Sequence, residues 1–231
     1  MIIGVMDSGI GGLGVLSRLI GKKCADRYLY FSDGANLPYG DKSAEEVRRI
    51  ALEGTKRLAD MGANAVIFGC NTLTVCALDY VRKRVALPLF GLLPRPELSS
   101  GKTLLLTTPA TGSYLPPLGK NVLLLTPPRL ASMIDREYPK TSETERYLTP
   151  LLAPYGDVDS VYLGCSHYTF AKEVIKKAIP HAKITEGSDA LSHLVKAVLP
   201  PVTVKNQSVD FIFSGRNESA RYADILSSLL S

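Results

Sequence analysis

No uninterrupted apolar stretch in these 231 residues approaches the roughly 18 that a membrane-spanning helix needs. The opening run Met1-Ile2-Ile3-Gly4-Val5 leads straight into polar residues, unlike the longer apolar core of a secretory leader. Both absences predict a cytoplasmic protein with no membrane partner. Cysteine is sparse too: there are four, at Cys24, Cys70, Cys76 and Cys165, and no two form a C-x-x-C pair. In a reducing compartment this argues against a disulfide framework and leaves single thiols free for chemistry. It also removes the usual signature of a structural zinc site, so no metal is expected. A basic stripe interleaved with aromatics is missing as well. The net charge is +5, but its densest clusters, Arg82-Lys83-Arg84 and Lys176-Lys177, read as solvated helix faces. No nucleic-acid partner is expected.

What is present is an ordinary globular composition, 45% apolar and 21% charged, enough for one large domain or two small ones. Short apolar runs alternate with helical patterns. Strands are expected at Ile2 to Met6, Tyr28 to Ser32, Ala65 to Gly69 and Leu87 to Leu92. Helices are expected from about Gly12 to Ile20, from Ser43 to Met61, and after the third strand through about Val85. Ser43 with Glu46 three residues on is a capping-box signature. Pro94-Arg95-Pro96-Glu97-Leu98-Ser99-Ser100-Gly101 reads as a linker. Beyond it the pattern restarts, with strands at Thr103 to Thr107, Asn121 to Leu125, Ser160 to Gly164 and Ala182 to Thr185. Helices are expected at about Arg129 to Tyr138 and Thr169 to Ala178. A last strand, Val209 to Ser214, and helix, Glu218 to Leu230, close the chain. The alternation predicts an α/β fold of two similar domains with mostly parallel sheets. Ligands in such folds bind at the carboxyl ends of the strands.

The two halves repeat one pattern. Ala65-Val66-Ile67-Phe68-Gly69-Cys70-Asn71-Thr72 corresponds to Ser160-Val161-Tyr162-Leu163-Gly164-Cys165-Ser166-His167. Each is an apolar strand, a glycine, a cysteine and two polar residues. Each half also begins with a strand feeding a polar turn, Asp7-Ser8 in one and Thr107-Thr108 in the other. The repeat predicts a pseudo-twofold relation, with one cysteine on each side of a shared cleft. Placed beside a helix N-terminus, each thiol is expected to ionise more readily than a free one. Asn71, Thr72 and Ser166 offer hydrogen-bond donors suited to a carboxylate.

Two acid/base groups facing one cleft suit racemisation, which removes a proton from one face of a carbon and returns one to the other. Asp7 is the expected tuning group beside Cys70, and His167 beside Cys165. A lone strand-end cysteine is more often a small buried hydrophobe, the reading given to Cys24 and Cys76. The paired context of Cys70 and Cys165 moves those two towards catalysis.

Five segments in order resemble the glutamate racemases of the aspartate/glutamate racemase superfamily: Asp7-Ser8-Gly9-Ile10-Gly11-Gly12, Pro38-Tyr39-Gly40-Asp41-Lys42-Ser43, Cys70-Asn71-Thr72, Pro109-Ala110-Thr111 and Gly164-Cys165-Ser166-His167-Tyr168. The resemblance spans nearly the whole chain. It implies an isomerase that interconverts L- and D-glutamate without a cofactor, supplying D-glutamate for peptidoglycan. It makes Cys70 and Cys165 the two bases, with Asp7 and His167 assisting. It implies that Asp7, Ser8, Tyr39, Gly40, Asn71, Thr72, Thr111, Ser166 and His167 contact a small amino-acid substrate. It also implies an inserted second domain, residues 95-201, within a first domain made of 1-94 and 202-231, and it leaves a homodimer open. This chain departs from the family pattern in several places. Ser166 replaces a threonine and Thr169 a proline. Asp33-Gly34-Ala35-Asn36 stands where Asp-Thr-Ala-Arg is common, losing a cation and a hydroxyl. Asp135 stands for a glutamate that supports the histidine.

Other readings compete. Gly9-Ile10-Gly11-Gly12-Leu13-Gly14 is a full G-x-G-x-x-G after a strand, with Asp33 after the next, as in dinucleotide-binding enzymes. Asp7 opposes this, since its carboxylate would face the pyrophosphate. Cys70, Cys165 and His167 together offer a second alternative, a zinc site. A binding protein that kept the fold without the chemistry is a third. Among racemases, aspartate is the competing substrate, although His167 resembles the glutamate enzymes.

Overall fold

The computed structural model describes all residues except Ser100 and Lys205. Its first sheet is built from β1 (Ile2–Asp7), β2 (Arg27–Ser32), β3 (Ala65–Phe68) and β4 (Leu89–Gly91), linked through α1 (Leu13–Gly21), α2 (Ala44–Asp60) and α3 (Asn71–Arg82). The second is built from β5 (Thr103–Thr107), β6 (Val122–Leu125), β7 (Ser160–Gly164) and β8 (Lys183–Glu186). Between them run α4 (Pro109–Tyr114), α5 (Leu130–Glu137), α6 (Ser142–Leu152) and α7 (Lys172–Ala178), and α8 (Ser188–Val198) follows β8. The chain then returns as β9 (Ser208–Phe213), which pairs with β2 of the first sheet, and ends in α9 (Ser219–Leu230).

Every strand pairing is parallel. Central strands are covered on both faces, which is why β1, β3 and β5 read as continuous apolar runs rather than alternating ones. The sheet orders are β4-β3-β1-β2-β9 and β6-β5-β7-β8. Leaving β9 aside, the first order maps onto the second when β1, β2, β3 and β4 are matched to β5, β6, β7 and β8. The pseudo-symmetry seen in the sequence is therefore a symmetry of topology. In each sheet the chain reverses direction at its first strand, so the switch points lie between β1 and β3 and between β5 and β7. These crevices are where α/β sheets bind ligands, and Cys70 and Cys165 sit at them.

Ser43 caps α2 as the sequence predicts: its hydroxyl accepts from Glu46 N–H at 3.3 Å, and Glu46 accepts from Ser43 N–H at 2.9 Å. The face of α2 carrying Val47, Ile50, Ala51 and Leu58 packs with Leu73 and Ala77 of α3 over Met6, Val66 and Phe68. On the other side, Leu13, Leu16 and Leu19 of α1 share one apolar cluster with Leu191 and Val195 of α8. The core thus runs from one half into the other.

Three helices escaped the sequence reading. In α4 a threonine cap and a proline at the first turn mimic a loop; Thr108 Oγ1 accepts from Thr111 N–H at 3.2 Å. Helix α6 contains Pro150, and α8 opens on Gly187-Ser188-Asp189, all of which read as breakers. The helix expected from Thr169 is also different. Residues Ser166–Ala171 form a 3₁₀ segment that turns α-helical only at Lys172. The tighter winding buries Ser166, His167 and Tyr168 directly behind Cys165.

Candidate active site

Each cysteine follows a tie to the first strand of its own half, made by the main chain in one and by a side chain in the other. Gly69 N–H donates to Met6 O at 2.9 Å, tying the end of β3 to β1 just before Cys70. Thr107 Oγ1 donates to Gly164 O at 2.7 Å, tying the end of β7 to β5 just before Cys165. Both thiols are free and buried, at 6% and 5% exposure.

The two halves then exchange hydrogen bonds across the cleft in a reciprocal way. From the Cys165 loop, Ser166 Oγ donates to Asp7 Oδ2 at 3.0 Å, at the end of β1. From the Cys70 loop, Thr72 Oγ1 lies 3.1 Å from Thr108 Oγ1 and 3.0 Å from Thr111 Oγ1, at the end of β5. Each cysteine loop is thus held by the first-strand end of the opposite half. Gly40 lies against Thr108, its absent Cβ direction only 3.4 Å from that side chain. Thr108 is a member of this network that the expected site residues left out, while Asp135 is the residue the family resemblance set in place of a histidine-supporting glutamate, and it lies against His167. The repeat pointed to Thr108 as the counterpart of Ser8. Asp135 is carried by α5, and it was the resemblance rather than any local pattern that marked it.

Asp135 Oδ1 lies 3.1 Å from His167 Nε2 and accepts from Ile10 N–H at 2.8 Å, so a main-chain donor of the first half holds a carboxylate of the second. Arg221 of α9 donates to the main-chain carbonyls of Asp135 and Tyr138, at the end of α5. Burial pulls the His167 imidazole down, but hydrogen bonds to Asp135 and Cys165 and the charges of Asp7 and Asp135 outweigh it, and its pKa is raised well above 6.5. These partners favour the protonated ring. For Asp135 burial acts upward, yet His167 and the Ile10 N–H prevail and its pKa is lowered. Asp7 is pushed up by burial, against the pull of His167, Gly9 N–H and Ser166.

One expectation fails here. Burial, then the charges of Asp7 and Cys165, push the Cys70 thiol well above its usual range. The N–H groups of Leu73 and Thr72 oppose this, as a helix N-terminus should, and lose. Desolvation of a fully enclosed thiolate exceeds what two main-chain dipoles return. Asp7 therefore acts on Cys70 opposite to a group that would ease ionisation.

Tyr39 is buried, with its hydroxyl donated to Asp33 Oδ2 at 2.9 Å. Asn36 Nδ2 donates to both oxygens of the same carboxylate, at 3.1 and 3.0 Å. A neutral amide thus serves Asp33 without a cation. Asn71 Nδ2 donates to Leu92 O at 2.9 Å, while its Oδ1 is buried without a partner. Ser8 is buried beside Asp7. Cys24 and Cys76 lie within the apolar clusters, away from this network.

A scan against protein-family models finds no match for the chain. A curated glutamate racemase of Leptospira interrogans is 35% identical over 222 residues, spanning 89% of this chain and 86% of the relative. The chain belongs to the glutamate racemase family. Accordingly it is an isomerase, an amino-acid racemase. The fold agrees: the glutamate racemase of Campylobacter jejuni superposes with a TM-score of 0.82 at 21% identity, covering 100% of this chain and 98% of that one. The Francisella tularensis glutamate racemase, solved in complex with D-glutamate, gives 0.80 at 25% identity, covering 99% and 92%.

Family membership changes how the glycine-rich turn is read. A Cβ on Gly9 would strike Asp135 and come within 2.7 Å of Leu37 Cδ1. One on Gly11 would strike Ser166 Oγ and come within 2.6 Å of His167 Nδ1. These glycines are small because the second half presses on them, and the space a pyrophosphate would need is filled by protein. Nor, among the described residues, do three His, Cys, Asp or Glu side chains converge as a metal would require. Gly11→Ala is accordingly expected to hold the halves apart and lower kcat/KM about 10²-fold. Its melting temperature should fall as well, because the apolar core is shared between the halves. Steady-state kinetics with a thermal melt checks both.

Proposed function

We propose that the chain interconverts L- and D-glutamate by proton transfer between Cys70 and Cys165, and so supplies D-glutamate for peptidoglycan. The observation that carries this is the reciprocal geometry: two buried thiols at equivalent switch points, each loop fastened to the opposite half. In one direction a cysteine thiolate takes the Cα proton, breaking the C–H bond and leaving a planar carbanion conjugated with the α-carboxylate. The thiol of the other cysteine then gives its proton to the opposite face. The enzyme ends with thiol and thiolate exchanged, ready for the reverse direction, and no cofactor enters the balance.

The surrounding residues take roles that their chemistry suits. Asn71 Oδ1, a buried acceptor without a partner, receives an ammonium hydrogen. The hydroxyls of Ser8, Thr72, Thr111 and Ser166, with Gly40 and Tyr39 in the wall, receive the carboxylates. His167 balances the negative charge the site carries once one thiol has lost its proton, and Asp7 holds the Ser166 hydroxyl. Since all of these groups except the half-buried Gly40 are buried, substrate is admitted by opening. We assign the moving bodies as residues 1-94 with 202-231, and 95-201.

A circular-dichroism assay tests the reading. Ellipticity of either L- or D-glutamate should decay to zero, while that of aspartate should decay far more slowly. Faster decay with aspartate would make this an aspartate racemase, and no decay with any amino acid would leave a binding protein.

A further inference from the structure

The sealed site has a cavity of about 340 Å³ at its edge, within the usual range for small-molecule pockets. Its lining includes Ser8 and Asp135, which belong to the site, together with Leu37, Phe213, Arg216 and Tyr222. The loops that wall it are fixed rather than loose. Ala35 N–H donates to Ser214 Oγ at 3.2 Å, and Ser32 Oγ lies 2.8 Å from the Tyr222 hydroxyl. A Cβ on Gly215 would come within 3.2 Å of Ala35 N, so the two loops touch.

The charges around this cavity do not cancel. Asp135 is engaged by His167 and Ile10 N–H. Glu218 is paired with Arg221 at 3.2 Å. Asn36, on the adjoining loop, is neutral and folded back onto Asp33. The guanidinium of Arg216 is exposed, and among the described residues it forms no ion pair and no hydrogen bond. One unpaired cation therefore lines a cavity that is also lined by Ser8 and Asp135 of the candidate site. A guanidinium presents paired N–H donors that match a carboxylate. We propose that this cavity is the approach subsite of the enzyme, and that Arg216 binds a carboxylate of the incoming acidic amino acid there and selects it over neutral ones. The proposal rests on the glutamate reading above and deepens it. It adds a specificity residue on the loop before α9, far in sequence from both cysteines.

The test compares wild type with Arg216→Gln and Arg216→Lys, reading glutamate binding by calorimetry and racemisation by circular dichroism. At about 10 mM salt, where the screening length is about 30 Å, Arg216→Gln should weaken Kd and raise KM about two- to fivefold, as a partly exposed ion pair would. Its kcat should change by less than about twofold, because uniform binding is what has been removed. Arg216→Lys should recover most of the loss. At about 0.15 M salt, where the screening length is about 8 Å, the variants should converge. An Arg216→Gln enzyme that binds glutamate as tightly as wild type at low salt, or that responds to salt as wild type does, would overturn the proposal. Glutamate binding that depends on Arg216 but leads to no racemisation would uphold the subsite and overturn the catalytic reading, so the two failures are distinct.

Discussion

Cys70→Ala and Cys165→Ala should each lower the racemisation of glutamate by about 10²–10⁴-fold or more, the contribution of a positioned acid or base. The two losses should be similar in size, because racemisation needs both thiols in every turnover and neither can cover both faces of Cα. They should also fail to add: the double variant should be little slower than either single one, as for residues that act as a unit. The single variants should differ from each other in a specific way. With one thiol left, only the enantiomer presenting its Cα–H to that thiol can exchange hydrogen with solvent, and it returns to itself. Cys70→Ala and Cys165→Ala should therefore exchange opposite enantiomers. Both substitutions remove one sulfur atom from sites at 6% and 5% exposure, so thermal melts should separate a chemical loss from a folding one. If either alanine variant racemises at the wild-type rate, two-base transfer between these residues is wrong.

His167→Asn should carry the next largest effect, a loss of about 10²-fold in kcat. The buried His167 ring, whose protonated form is favoured, interacts with Asp135, Cys165 and Asp7, and it is the group that draws the Asp7 carboxyl down against burial. The same variant should have a distinctive stability profile. The folded pKa of His167 is raised above 6.5, so its stabilisation is complete below 6.5 and is lost as pH rises through the folded value. The folded pKa of Asp135 is lowered below 3.8, so its stabilisation is complete above 3.8 and is lost as pH falls through the folded value. The pair stabilises most between those limits. The gap in melting temperature between wild type and His167→Asn should be widest there and should narrow as the pH climbs well past 6.5. A gap that widens towards alkaline pH would mean the ring is buried neutral.

The central strands β1, β3 and β5 could be read from sequence because they are buried on both faces, which turns each into a nearly unbroken apolar run. The paired cysteines could be read because topology repeats: equivalent strands need equivalent ends, and the Gly-Cys-polar-polar run is the trace of that need. Family resemblance supplied the expected substrate contacts as a set, but not how those residues connect to one another. The tie from Ser166 to Asp7 crosses 159 residues and that from Thr72 to Thr108 crosses 36. No local pattern carries such pairings. The glycines at 9 and 11 misled for a related reason. A glycine that makes room for a phosphate and one that makes room for a neighbouring loop are the same residue in sequence, and only the approach of Asp135 and Ser166 tells them apart. The Cys70 thiol shows a third limit. The helix N-terminus was visible, but how completely the rest of the fold shuts out water was not, and desolvation decides the sign of the shift.

The most direct test follows the solvent label during the first moments of turnover in D₂O. Unlabelled L-glutamate is given to wild-type enzyme, and both enantiomers are separated before a tenth or so of the substrate has reacted. Two cysteines acting from opposite faces predict that the D-glutamate formed carries deuterium at Cα while the remaining L-glutamate carries almost none, and the converse when D-glutamate is given. D-glutamate that forms with the original hydrogen retained would mean a single base carries the proton between faces, and would contradict the assignment of Cys70 and Cys165 as a pair.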